Sequence, residues 1–436
     1  MNHLTTSFWC VLLPLMDCFR VEVFATFSHM AVCWIVCLGP RTIRRVWQTT
    51  GRDEKENHAN TYRLFIEAKW NWDNVARIWV LKVLLKILPG CRLRAVIDDT
   101  LCHKRGAKVA FGGIFLDPVL STKRHKTFRF AVNYVTLGLL IYLPFRKDRP
   151  FGINVLWRTA RKKKDAGQNH KTKPTLAREM IDVLATWLPE HGIEVLADVA
   201  YIGQKVLKNR PANVCVIGSL TRRASLYEFL EEIPAGKKTH KGEKLPKFAD
   251  ILQDPERNWS AIVVQHPRIE KKLNVHELTA VCWPGGNSSS EPIQVVLLRD
   301  PQGHWRDEVL LSTDTNLSAA SIVREYLDRW YVECAYADSK QLLGFHDPHV
   351  RKQESVERAH PMAWFVGGLV IVWYARFGPH RGLPDSCEQD VSRRITFREM
   401  LSYAKLELWS SWLQHGSGDS DAKLSWLLKY ICSVPG

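Results

Sequence analysis

The chain has 436 residues, 46% hydrophobic and 24% charged. These proportions exclude a wholly disordered or collagen-like polymer and leave room for two to three domains. Lys and Arg number 61 against 45 Asp and Glu, a net charge of +16. That excess suits a polyanionic partner, nucleic acid or an anionic membrane, and does not choose between them.

Seventeen Trp argue for packed cores, and 11 Cys without a Cys-x-x-Cys pair read as free thiols in a reducing compartment. No Lys or Arg precedes Arg20, so the positive flank of a signal peptide is missing. The apolar run Met30 to Leu38 stops at Gly39-Pro40, and the longest clean run, Met362 to Ala375, lies between Pro361 and Arg376. Both are shorter than the roughly 20 residues a bilayer span needs and read as buried core helices, so a soluble protein is expected.

Residues 1–90 read as a helical N-terminal region. Apolar residues from Leu64 to Leu81 recur at helical spacing up to the stop at Pro89-Gly90. Arg41, Arg44 and Arg45 make DNA-end binding a candidate role, without a helix-turn-helix pattern. At residue 91 the pattern changes. Leu93 to Asp98 reads as a short buried strand ending on acids, followed by strands at Val109 to Phe115 and Thr127 to Pro144. A basic run spans Arg161 to Lys173. Pro174 then opens an amphipathic helix, Thr175 to Leu188, and Ile193 to Asp198 is a further apolar strand ending on an acid. This is the grammar of an α/β core with a mixed sheet, placed at 91–204.

Short strands separated by polar turns mark 205–316 as a β-rich insertion. It has a hairpin around Arg299 to Asp307 and a basic loop carrying Lys237, Lys238, Lys241, Lys244 and Lys247. A strong helix from Ser318 to Leu343 and the apolar helix Met362 to Phe377 complete the core over 317–378. A helical C-terminal region, 379–436, holds an amphipathic helix from Phe397 to Leu413 and the connector His415 to Asp421.

Three acids stand out. Asp98, or its neighbour Asp99, and Asp198 each close an apolar strand, where an α/β sheet presents side chains to a ligand crevice. At about 100° per residue, Tyr326, Arg329, Glu333 and Lys340 share one narrow stripe of the 318–343 helix, beside a seam of Val323, Leu327, Trp330 and Cys334. Alone, Arg329 and Glu333 could be an ordinary exposed i,i+4 pair. Three carboxylates converging in a crevice repel one another unless divalent cations neutralise them. Mg²⁺ takes one or two carboxylates per ion, with water and phosphate oxygens completing its shell.

Tyr, two residues, Arg, three residues, Glu, six residues, Lys resembles the signature of one branch of the DDE insertion-sequence transposases. Tyr326, Arg329, Glu333 and Lys340 match it without a spacing error. "DDT" at 98–100 resembles the family's Asp-x-Thr and "ADVAY" at 197–201 its second Asp. The resemblance covers about residues 30–415. It implies a ribonuclease-H-like mixed-sheet core interrupted by a β-rich insertion, with helical N- and C-terminal regions.

It further implies that Asp98, Asp198 and Glu333 bind two Mg²⁺ or Mn²⁺ ions, with Asp99 as the alternative first acid. Tyr326, Arg329 and Lys340 would contact phosphates of the transposon end, and Trp305 or Trp283 would stack on an extruded base, each Trp being equally compatible with a core role. The implied activity is metal-dependent cleavage of terminal inverted repeats and strand transfer into target DNA, by a dimer in the bacterial cytoplasm at the nucleoid. The alternatives are a catalytically inactive DNA-binding relic of such an element, and a nuclease of the same core without strand transfer. No nucleotide-binding Gly-rich loop or zinc spacing is present in the sequence.

Overall fold

The computed structural model describes residues 4–49, 59–88, 90, 92–106, 108–233, 235–236, 238–254, 256–266, 269–286, 291–303, 306–379 and 395–415. Trp305, Lys237, and the connector beyond His415 therefore lie outside the described residues.

Five helices come first: α1 Thr6–Leu12, α2 Val21–Val36, α3 Ile43–Gln48, α4 Ala59–Ile66 and α5 Trp72–Ile78. The core follows with β1 Arg92–His103, β2 Gly113–Leu116, β3 Phe128–Leu143 and β4 Arg146–Ala160, then α6 Lys163–Ala166, α7 Lys173–Trp187, β5 Gly192–Ala197, α8 Gln204–Leu207 and β6 Val214–Ser219. The next stretch is β-rich: β7 Tyr227–Phe229, β8 Lys241–Lys244, α9 Phe248–Gln253, β9 Ser260–His266, β10 Ile269–Cys282, β11 Ile293–Arg299 and β12 Glu308–Ser312. Last come α10 Ala319–Asp328, α11 Trp330–Leu342, α12 Gln353–Ala359, α13 Met362–Phe377 and α14 Phe397–His415.

The central strands lie in the order β4-β3-β1-β5-β6. β3 is antiparallel to β4 and β1, while β1, β5 and β6 run parallel. Two antiparallel strands, then a helical crossover through α7 into parallel ones, is the ribonuclease-H-like arrangement. The near-continuous apolar runs Ala95–Ile97 and Ile193–Ala197 are buried, including the one acid among them, Glu194, as strands covered on both faces must be. Thr172 caps α7 by accepting from the Thr175 N–H, and Pro174 sits in the first turn, where its missing N–H costs nothing. Leu176, Ala177, Met180, Ile181 and Leu184 form the buried stripe of α7.

Beyond β6 the sheet continues through β12, β11, β10, β7 and β8, with β9 also paired to β10. The excursion leaves the core at β6 and returns beside it, since Leu310 to Ser312 of β12 pair antiparallel with Ser219 to Ile217.

The structure departs from the expected elements in three places that matter. First, β1 does not end at Asp98 but runs on to His103, because β3 pairs with it residue by residue from Ala95 to His103. The ladder carries extended backbone straight through both acids. Second, Val109 to Phe111 form turns, and the strand expected there begins only at Gly113. Third, the helix expected from 318 to 343 is two helices. At the junction Arg329 N donates to Tyr326 O and Val332 N to Arg329 O, both at 3.2 Å. These three-residue bonds tighten the turn.

The apolar helices are core. α2 buries ten of its residues and α13 twelve, and no helix among the described residues is long and apolar enough to cross a membrane. Arg41 and Arg45 point their Nε–H groups at the carbonyls of Trp34 and Leu38, closing the end of α2, while Arg44 is exposed.

Candidate active site

Two neighbouring strands set the first two acids side by side. β1 and β5 are parallel with Ile97 opposite Ala197, so Asp98 and Asp198 follow at the same level on strands about 4.8 Å apart. Asp198 folds its carboxylate onto its own backbone, with Oδ1 accepting from Val199 N at 2.6 Å.

Strand alternation separates Asp98 from Asp99. Side chains of successive residues leave opposite faces of a sheet, and the two acids meet different helices. Asp99 accepts from Lys173 Nζ of α7 at 2.6 Å and from the Tyr201 hydroxyl at 2.7 Å. Asp98 faces α10 and α11, where Arg329 Nη1 lies 3.1 Å from its Oδ2. The other guanidinium nitrogen, Nη2, lies 3.1 Å from Glu333 Oε1. One guanidinium thus spans the first-strand acid and the helix acid. Burial pushes Asp98 up to about 7. Arg329 and the Asp99 N–H oppose that rise, while Asp99 and Glu333 add to it.

Asp198 also contributes to the field at Arg329, together with Asp98, Tyr326 and Glu333. These neighbours hold the guanidinium's pKa above its ordinary value although burial opposes them. The Tyr326 ring lies 5.8 Å below that guanidinium. Burial raises its phenol to about 12, with Glu308, Asp198 and a hydrogen bond to Ser219 also acting on it. Tyr326, Arg329, Glu333, Asp98 and Asp198 are therefore brought into one electrostatic neighbourhood.

Lys340 is not part of that neighbourhood. Burial lowers its pKa, and the groups acting on it are Cys102, near the end of β1, and Asp117, just past β2. Trp283 is buried, its indole lying over Gly286, where any Cβ would collide with the ring at 2.0 Å. The expected seam is also displaced. Val323 is buried, but Trp330 is exposed, and the buried residues of α11 are Tyr331, Val332, Tyr336 and Ser339.

Three residues at the site were not among the expected site residues. Glu308, the first residue of β12, is raised by burial and interacts with Asp198 and Arg329. Lys173 and Tyr201 hold Asp99. The remaining basic segments are partly consumed inside the molecule. Arg161 stacks 4.0 Å from the Phe111 ring, Lys171 pairs with Glu179 at 2.7 Å, and Lys241 lies over Tyr227 at 4.0 Å.

Among the described residues, no three His, Cys, Asp or Glu side chains stand close enough together to hold a metal ion as they are. The donor chemistry nonetheless fits a hard divalent cation. Asp98, Asp198 and Glu333 offer only carboxylate oxygens, and the space between two of them already holds a positive group.

The chain belongs to the DDE superfamily endonucleases, whose family model matches residues 14–289, well over half its length. That match takes in both strand acids and ends before α10, so Glu333 lies outside it. Among solved structures, the cryo-EM synaptic complex of piggyBac transposase with hairpin DNA is similar at 10% identity and a TM-score of 0.40. The alignment covers 98% of this chain and 81% of that one. At that score the likeness carries no argument. No curated protein matches the chain.

Proposed function

We propose that this endonuclease is a transposase: it cuts DNA at the ends of a mobile element and joins the freed 3′-hydroxyl to target DNA. The observation that carries the reading is the level pairing of Asp98 and Asp198 on adjacent parallel strands, with Glu333 tied to Asp98 through Arg329. Asp98, Asp198 and Glu333 would hold Mg²⁺ or Mn²⁺. When bound, a pair of such ions supplies an activated nucleophile and a Lewis acid at the scissile phosphate.

The chain's own residues then have distinct tasks. Arg329, whose fork suits two phosphate oxygens, would exchange its carboxylate partners for the DNA backbone as the cations arrive. Tyr326 would orient that guanidinium from below. Lys340 would meet a phosphate further along the same strand, as a point charge. Cleaving both ends of one element implies a dimer working at the nucleoid.

The test is nicking of end DNA in Mg²⁺ or Mn²⁺. Glu333→Ala should abolish it while DNA binding survives, and undiminished nicking in that variant refutes the assignment. Two rivals separate cleanly. An inactive relic binds ends and never nicks, a reading to which the Arg329 bridge between two acids lends some support. A plain nuclease nicks but yields no joined product in a strand-transfer assay.

A further inference from the structure

A groove of about 1420 Å³ lies between the β2–β3 hairpin and the chain entering α12, lined among others by Lys104, Leu120, Phe128 and Phe130. Its rim carries Arg105, Arg129, Arg351 and Lys352, all exposed. Among the described residues no acid pairs with any of these four. The one acid in the lining, Asp347, is turned to the Arg41 N–H at 2.7 Å. The hairpin adds exposed Lys123, Arg124 and Lys126 at its turn. Beside these cations Leu120 is 46% and Phe128 60% exposed.

That combination is selective. Unpaired cations alone would suit any phosphate backbone, and a duplex would leave the exposed Phe and Leu with nothing to cover them. An unpaired strand offers both phosphates for the rim and base faces for the apolar floor. The groove also opens where β1 ends, five residues beyond Asp98, or about 17 Å at strand rise. That distance is about five stacked nucleotides at 3.4 Å each.

We infer that this groove carries an unpaired DNA strand running from the acids along the end of β1, phosphates on Arg105, Arg129, Arg351 and Lys352 and a base against Phe128. The inference rests on the proposed function only in naming DNA.

The test uses the full chain and a fluorescein-labelled 20-nucleotide single strand of mixed sequence, read by anisotropy in EDTA so that cleavage plays no part. Replacing Arg105, Arg129, Arg351 and Lys352 together by Ala should lower the slope of log affinity against log salt by about 3, at roughly 0.7 per lost single-strand contact. Phe128→Ala should weaken the single strand about tenfold, within the range for one stacked base, and a duplex of the same sequence less than twofold. If the quadruple variant fails to fold by circular dichroism, Phe128→Ala and Arg129→Glu decide.

An unchanged salt slope in a folded quadruple variant overturns the inference. So does equal loss on duplex and single strand in Phe128→Ala, or tighter binding of the matching RNA. Groove-dependent binding without any nicking by the native chain sinks the transposase reading alone. Nicking that persists beside groove-independent binding sinks this inference alone.

Discussion

Arg329 Nη1 sits 3.1 Å from Asp98 Oδ2, joining the turn between α10 and α11 to the middle of β1, a strand more than two hundred residues earlier. The same guanidinium reaches Glu333, so the two carboxylates are held at one cation. This arrangement governs how the site should respond to protons and to divalent ions.

Proton competition should be visible in metal binding. Asp98 is pushed up to about 7 by burial, so below that pH it carries a proton. The rise in melting temperature on adding Mn²⁺ should be small at pH 6 and larger at pH 8, and Asp98→Asn should flatten the difference. The linked stability change has the opposite sense. A carboxyl raised above its ordinary 3.8 favours folding below that value and loses the contribution as pH climbs through 7. The stability of the native chain relative to Asp98→Asn should therefore fall between pH 4 and 7 in metal-free urea titrations.

Asp99 should behave as a structural acid. Removing it in Asp99→Ala strips an acceptor from Tyr201, which is buried, and from Lys173. We expect a loss of about 1–3 kcal/mol, nearer the lower value because the Lys173 side chain is 38% exposed. Mn²⁺ binding by calorimetry should survive in Asp99→Ala and vanish in Asp98→Ala. The reverse result would exchange the two assignments.

A second charged cluster anchors α10 to the start of β1. Arg94 lies 3.2 Å from both Glu194 and Glu325 and 3.9 Å from Asp328. Asp328 also accepts from the Tyr142 hydroxyl and meets His266 of β9 at 3.1 Å. Arg94→Met takes the shared cation from three nearly buried acids, of which Glu194 keeps Arg92 at 2.6 Å, at a cost of about 3 kcal/mol. Denaturant unfolding would measure it.

Packing beneath the helix acid is equally tight. A Cβ at Gly152 of β4 would meet the Tyr331 carbonyl oxygen at 2.8 Å and the Val332 Cα at 3.2 Å. Gly152→Ala should cost about 1–3 kcal/mol and, by lifting α11, slow nicking further than the stability loss explains. A variant as fast as the native chain would show that α11 tolerates the shift.

These residues also show what the sequence could disclose. The strands bearing Asp98 and Asp198 were legible because buried parallel strands leave near-continuous apolar runs. The length of β1 was not, since Asp99 to His103 owes its extension to β3. Asp98 and Asp99 differ in their partners on the two faces, Arg329 and Lys173, which arrive from distant segments. Helical spacing brought out Tyr326, Arg329 and Glu333. The tight turn at Arg329 has no Gly or Pro to announce it, and the seam expected along one straight helix is displaced beyond it. Glu308 was invisible because an acid opening a strand is commonplace.

The return of β12 onto β6 has one more consequence. Ser219 and Leu310 are direct partners across the sheet, so everything strung between them is a parenthesis whose two brackets touch. Apart from Glu308 and His266, which reach back to Arg329 and Asp328, its text can be lengthened, trimmed or rewritten without stretching the sentence around it. The acids on β1, β5 and α11 would stay put while the enclosed strands changed.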